Sequence, residues 1–247
     1  MLERKTCRGA ESAAQRTGFR VGCSLKTCLR SAADPARRVP AGAHFVHEGA
    51  QAAPCYWLES GWAVLFKTLQ DGRDQIIDIH LAGDLVQPLA ADGLTASGGL
   101  QALTPCVVSA IHASRWERLR AGCKPVRDAC DVQAAAVSAR RGERMLRLGR
   151  GSAAMRLAYL LLELHLRLGA GAAAPPRAFH LPMTQRQIGD AAGLCSVHVS
   201  RVFSQFNRDG VMTTRDHTDV ELRDIGRLCA HAGVEIAALR RAIILPQ

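Results

Sequence analysis

Between residues 39 and 111 the chain alternates short apolar runs with turn residues. The runs 44–47, 56–59, 63–69, 75–81, 100–103 and 106–111 are separated by turns, and Gly49, Gly61, Gly72 and Gly83 recur among them at steps of 11 or 12. Short strands at that spacing predict an antiparallel β-sandwich or barrel of about eight strands. Ile77, Ile79 and Leu81 alternate with Asp78 and His80, as a strand with one buried face requires. Asp71-Gly72 lies between two such runs, and an Asp-Gly pair tolerates the positive φ of a tight hairpin.

Beyond residue 125 the apolar period lengthens to that of helices. Over 125–148, Val126, Ala129, Cys130, Val132, Gln133, Ala136, Val137, Arg140, Met145 and Leu146 fall near one face at three- and four-residue steps behind Pro125, which suits a first helical turn. This face is thin, and Ala129 and Ala136 suit packing either on the barrel or on a twin helix. Residues 152–168 predict a second amphipathic helix, with Met155, Ala158, Tyr159, Leu162 and Leu166 on one stripe and Gly169 at its end. Thr184 is an N-cap for 185–192, Gly193 supplies a turn, and 196–207 make a helix with Val199, Val202, Phe203 and Phe206 inward. That arrangement is a helix-turn-helix. Val211-Met212 and Val220-Glu221-Leu222 flank a turn-rich stretch and predict a β-wing, and Ile225, Leu228, Ile236 and Leu239 predict one more helix.

Charge adds a partner class to this picture. Of a net +10, residues 1–40 carry +6, 41–139 carry −3 and 140–223 carry +6. A basic C-terminal part on an acidic middle suits a module for polyanions. The second helix of the motif turns Ser196, Val197, Ser200, Arg201 and Ser204 outward, where a recognition helix meets base edges in the major groove. Arg201 suits a bidentate contact to guanine. Nine cysteines, an odd and scattered set, predict mostly reduced thiols, and the first thirty residues lack the apolar core of an export signal. With no apolar run of membrane-spanning length, a cytoplasmic protein is expected and a membrane partner is not.

The segment Gly42-Ala43-His44-Phe45-Val46-His47-Glu48-Gly49, the stretch Leu58-Glu59-Ser60-Gly61, the run from Asp71-Gly72-Arg73 to His80-Leu81-Ala82-Gly83-Asp84 and the motif from Leu181-Pro182-Met183-Thr184 to Arg201 together resemble the CRP/FNR family of bacterial transcription regulators, FNR/FixK-like branch. The resemblance spans about 39–222. It implies an α+β fold with an N-terminal cyclic-nucleotide-binding-like β-roll, a long dimerisation helix and a C-terminal winged helix-turn-helix. It also implies a homodimer on a palindromic site in double-stranded DNA, contact with RNA polymerase, and no enzymatic activity. The expected boundaries are a basic extension at 1–36, the β-roll at 37–124, the dimerisation helix at 125–148, the DNA-binding domain at 149–223 and a helical tail at 224–247. The DNA-contacting set is Thr184, Gln185 and Arg186 with Ser196, Val197, His198, Ser200, Arg201 and Ser204.

Departures from the family pattern speak about this member. Cyclic-AMP-binding relatives carry a Glu and an Arg-Ser pair in the loop after the Gly-Asp pair, whereas residues 83–99 hold neither Glu nor Arg. A cyclic phosphate therefore meets no loop cation, and cyclic AMP is not the expected effector. Val197 stands where many members have a Glu, with Ser200 and Arg201 retained; Val197 and His198 suit a thymine methyl. The FNR branch holds an iron–sulfur cluster on four cysteines. Cys7, Cys23, Cys28 and Cys106 supply that number, but Cys7 precedes Cys23 by 16 residues, so scattered structural thiols are the alternative. Cys195 opens the recognition helix, and a helix N-terminus favours thiolate chemistry, which makes it a redox candidate. A rival reading is a cupin-like metal enzyme on His44, His47 and Glu48. Strand alternation places those two histidines on opposite faces, and no second half with a further His follows.

Overall fold

The protein was analysed as a computed structural model that describes residues 24–90, 93–170, 172, 174–216 and 218–244. Its first half consists of β1 (Arg37–Val39), β2 (His44–Val46), β3 (Cys55–Ser60), β4 (Ala63–Thr68), β5 (Asp74–His80), β6 (Leu85–Val86), β7 (Gly99–Ala102) and β8 (Cys106–Ile111). They form two four-stranded antiparallel sheets, β1-β8-β3-β6 and β2-β7-β4-β5. Val46, Tyr56, Leu65, Val86 and Leu100 join both sheets in one core. The β4–β5 hairpin pairs Ala63 with His80 and Thr68 with Asp74. At its tip Gly72 alone takes positive φ, +81°, while the Asp71 carboxylate accepts from the Arg73 amide at 3.1 Å.

Two helices near this roll carry few apolar residues. α1 (Leu25–Ala32), capped by Ser24, buries Cys28, Leu29 and Ala32. α2 (Ala113–Gly122) buries Trp116 and Leu119. Both pack with Trp57 and Ile111 in one cluster. Residues 25–32 of the expected 1–36 extension therefore pack into the core beside the β-roll.

α3 (Lys124–Arg150) is the long helix, with Pro125 in its first turn. Its inward face holds Val126 and Ala136 but also Arg140, Arg144 and Arg147. Ala136 thus packs within the chain, and the face left outward is another one. Val132 and Leu146, expected on the face of Val126 and Ala136, are instead exposed there with Ala135, Gly142 and Gly149 at three-, four- and seven-residue steps, and Met145 is exposed as well.

α4 (Ala153–Leu168), capped by Ser152, is buried from Leu157 to Leu166. α5 (Gln185–Ala192) and α6 (Ser196–Arg208) follow, then β10 (Met212–Arg215) and β11 (Asp219–Leu222) as the wing. β9 (Ala178–His180) adds a third wing strand along β11. The tail holds two helices rather than one, α7 (Ile225–Ala232) and α8 (Ile236–Ile243), joined at Gly233 in the left-handed region. Leu228, Ala232, Leu239 and Ile243 join the core of α4 and α6.

A buried charge cluster ties the two halves together. Arg144 donates to both Glu163 carboxylate oxygens, at 2.9 and 2.7 Å, and to the Ile77 carbonyl at 3.1 Å. Arg140 lies 3.4 Å from Asp78, and Arg167 donates to Asp84 at 2.8 Å and to the Ile79 carbonyl at 2.6 Å. Charges this far from water persist only when paired and hydrogen-bonded. Burial by itself would raise the Asp78 carboxyl, but His80, Arg144, Arg140 and Arg167 hold it well below the usual carboxylate range.

Candidate nucleic-acid interface

The local sequence of α5 and α6 builds the helix-turn-helix. The Thr184 hydroxyl accepts from the Gln187 amide at 3.2 Å, and the Gln187 side-chain oxygen accepts from the Thr184 amide at 2.9 Å, which closes a capping box. Gly193 ends α5 with φ +64°, as a residue without Cβ does readily. Gly189, which sequence pattern did not single out, is as important. A Cβ there would sit 2.3 Å from the Leu194 carbonyl oxygen, so only glycine lets the turn cross α5 this closely. The signal was the Gly189-Asp190-Ala191-Ala192-Gly193 run, whose small residues read as ordinary helix formers.

Val199, Val202, Phe203 and Phe206 anchor α6 inward. Ser196, Val197, His198, Arg201 and Ser204 are exposed and Ser200 is half-buried, so the structure gathers the predicted recognition residues on one open face. Val197 is 63% exposed, an apolar side chain facing water at the N-terminal end of the helix. Arg201 forms no hydrogen bond or ion pair among the described residues. Its five donors remain available for a base or phosphate.

Thr184, Gln185 and Arg186 are placed differently. The hydroxyl and amide of Thr184 serve the cap, and Arg186 leans toward Asp190, 3.9 Å away. Thr184 and Arg186 border a cleft of about 250 Å³ against Val64, Phe66 and Asp74 of the roll. Gln75 on β5 donates to the Asp190 carbonyl across this contact. The first helix of the motif is therefore docked on the β2-β7-β4-β5 sheet while the second remains open.

The thiol candidates separate. Cys195 is the exposed N-cap of α6, with Sγ 3.3 Å from His198 Nδ1. Cys28 lies against Cys123, 3.0 Å between sulfurs, in the α1–α2–α3 core. Cys106 belongs to another cluster and donates to the Trp62 and Thr104 carbonyls at 3.1 and 3.2 Å. Cys7 and Cys23 lie outside the described residues. Among the described residues no three His, Cys, Asp or Glu side chains converge as a metal site. Cys28 and Cys106 thus lie in separate side-chain clusters, one thiol packed between helices and the other donating to backbone carbonyls.

The expectation for His44 and His47 is corrected as well. Their rings approach to 5.8 Å, since the chain leaves β2 after Val46 and alternation no longer applies. His44 also packs on Phe66 at 5.2 Å, and Glu48 pairs with Lys67 at 3.1 Å, so the trio is engaged in side-chain packing and a surface ion pair.

Comparison with known proteins matches both halves. Residues 36–122 match the family described as a cyclic nucleotide-binding domain, and residues 155–231 match the Crp-like helix-turn-helix domain. The transcriptional activator protein FnrL of Cereibacter sphaeroides is 30% identical over 182 residues, 70% of this chain and 71% of that protein. The nitrogen fixation regulation protein FixK of Rhizobium meliloti is 28% identical over 68% of this chain and 73% of its own length. The structure of FixK2 from Bradyrhizobium japonicum superposes with a TM-score of 0.72 at 27% identity, over 82% of this chain and 98% of that one.

Proposed function

This chain belongs to the CRP/FNR family of transcription regulators, in its FNR/FixK-like branch, and from that membership we propose that it binds a two-fold symmetric promoter site as a homodimer. It is a DNA-binding transcription regulator, and its N-terminal domain is of the cyclic-nucleotide-binding type. The observation that carries the finer reading is the open face of α6, where unpaired Arg201 stands beside Ser196, Val197, Ser200 and Ser204. Dimerisation along the exposed face of α3 would set two such helices against successive major-groove faces. We read the protein as a cytoplasmic binding protein and not an enzyme, with RNA polymerase as the partner that turns DNA binding into regulation. Among the described residues no helix is long and apolar enough to cross a membrane.

Cyclic AMP is not the effector in this reading. The loop 83–99 brings neither the Glu that relatives use for the ribose nor a cation for the phosphate. Thr184, Gln185 and Arg186 serve as backbone-positioning contacts once α5 leaves the sheet, and His198 joins Val197 at a base methyl. Cys195, at the entry to that surface, is the candidate for redox control.

The reading is tested by fluorescence anisotropy on a labelled palindrome with TTG-type half-sites and on a scrambled control. The expected result is tight binding of two chains per palindrome, weakening steeply with salt as phosphate contacts require. Equal affinity for both duplexes, or one chain per site, would refute it.

A further inference from the structure

Cys28 and Cys123 meet in the core beside the β-roll although 95 residues separate them along the chain. Cys28 comes from the middle of α1 and is 0% exposed, whereas Cys123 is the N-cap of α3 and is 5% exposed. The Cys123 thiol donates to the Cys28 sulfur at 3.0 Å, about 1 Å more than a covalent S–S bond. Hydrogen bonds between thiols are weak. The approach is therefore set by the packing of Leu29, Trp116, Leu119 and Val126 around the two sulfurs.

Two further thiols, Cys55 and Cys130, belong to the same cluster. Burial pushes both of them up, which suppresses the thiolate that exchange chemistry requires. Among the described residues no three ligating side chains converge. The arrangement thus suits a reaction of two thiols rather than a metal site.

We propose that Cys28 and Cys123 are a reversible dithiol–disulfide site that takes a small disulfide as its oxidant. Cys123, the more accessible of the two, gives up its proton and attacks one sulfur of the oxidant, whose other half takes a proton and leaves as a thiol. Cys28 then gives up its proton and attacks the Cys123 sulfur of the mixed disulfide, which forms the Cys28–Cys123 bond and releases the second thiol. Two protons and two electrons pass from the protein to the oxidant, which ends as two thiols. Access is through α1, which buries only Cys28, Leu29 and Ala32 and so opens at low cost. In a reducing compartment the dithiol is the resting state and the bond is transient.

The position of the bond gives it a structural effect. β1 to β8 and α2 all lie between residues 28 and 123, so the cross-link closes the β-roll into a covalent ring. A loop of this length restricts the unfolded chain strongly, which stabilises the folded domain. The bond also pins α1 to the head of the long helix. None of this draws on the DNA-binding reading.

The test is to expose reduced, full-length protein to excess 2-hydroxyethyl disulfide, then to alkylate it and digest it with trypsin. Cys28 falls in peptide 27–30, Cys123 in 121–127, Cys130 in 128–140, Cys55 in 39–67 and Cys23 in 21–26, so each pairing has its own mass. The expected product joins 27–30 to 121–127 in the majority of chains, two hydrogens lighter than the separate peptides. It runs as a single chain on a non-reducing gel and is lost with dithiothreitol. Oxidation is expected to raise the thermal midpoint by about 5 °C or more and to slow amide exchange in α1 about tenfold or more. Cys28→Ala and Cys123→Ala are each expected to abolish both changes. Pairing of either residue with another cysteine, a mixed disulfide that does not resolve, or thiols left unreacted would each overturn the proposal, and these readouts need no variant. The expected cross-link with unchanged midpoint and exchange would leave the site standing and overturn the closing of the β-roll as its effect.

Discussion

Arg144 on the long helix and Glu163 on the first helix of the DNA-binding domain form a two-pronged ion pair, at 2.9 and 2.7 Å, with both side chains withdrawn from water. It is the centre of the charge cluster through which the β-roll, the long helix and the DNA-binding domain meet.

Removing one partner leaves the other charge buried. Arg144→Met strands Glu163 with Arg140 at 3.7 Å and Arg167 at 3.4 Å, and is expected to cost about 3–5 kcal/mol in urea unfolding. The double change Arg144→Met with Glu163→Met is expected to recover much of that loss, because no lone charge remains. A single-mutant cost under about 1 kcal/mol would show that the cluster is not what holds the domains together.

The same cluster sets the acid limb of stability. Burial opposes ionisation of Asp78 and Asp84, yet their basic neighbours hold both below the usual range. Carboxyls depressed in the folded state contribute fully above their unfolded pKa of about 4 and lose that contribution as pH falls through and below it. His165 is also depressed, by burial, so its contribution is present above about pH 6.5 and fades below. Asp190, raised by burial, acts in the opposite sense. Urea midpoints are expected to decline slightly below pH 6.5 and steeply below pH 4. His165→Gln is expected to remove the first decline alone.

On the recognition face, Arg201→Ala is expected to weaken binding to the palindrome by about 1–3 kcal/mol and to relax the preference for guanine at one half-site position. Because Arg201 has no partner within the described fold, unfolding of the free protein should stay within about 0.5 kcal/mol of the parent. A loss of stability equal to the loss of affinity would assign the residue a structural role instead.

Leu146 is 58% exposed on the outward stripe of α3. Leu146→Glu places a charge in the C-terminal half of the proposed dimer seam and is expected to convert the protein to a monomer by light scattering, with its helix content unchanged. A dimer that survives this change would have to use another surface.

Oxidation of Cys195 puts a polar adduct at the entry to the recognition helix, beside His198. Peroxide is expected to reduce DNA affinity of the parent several-fold and to leave Cys195→Ser unaffected, in the same anisotropy assay. Equal sensitivity of the two proteins would remove Cys195 as a sensor.

Much of this protein was legible in local chemistry. The apolar run 75–81 marked β5, although Asp78 and His80, expected on its polar face, are buried and Ile77 is only half-buried; Pro125 and Ser152 marked helix starts, and Thr184 with Gly193 bracketed the first helix of the motif, because each signal acts within a few residues of itself. α2 was not legible, since only Trp116 and Leu119 are buried along it and two residues make no period. β9 is three residues whose strand character comes from pairing with β11.

What the sequence determined by itself was therefore the order of elements, the open polar face of α6 and the kind of partner that face suits. Tertiary structure alone decided which charges go inside and which cysteines meet. Arg140, Arg144 and Arg147 enter the sequence only as part of the basic charge of 140–223 and the periodicity of one helix, and they are buried because Asp78, Glu163 and the Ala232 carbonyl are brought to them. Cys28 and Cys106 read as one set until each is found in its own core. The physical reason is the same in both cases: burial of a charge or a thiol is governed by partners tens of residues away, and neither spacing nor periodicity carries that distance.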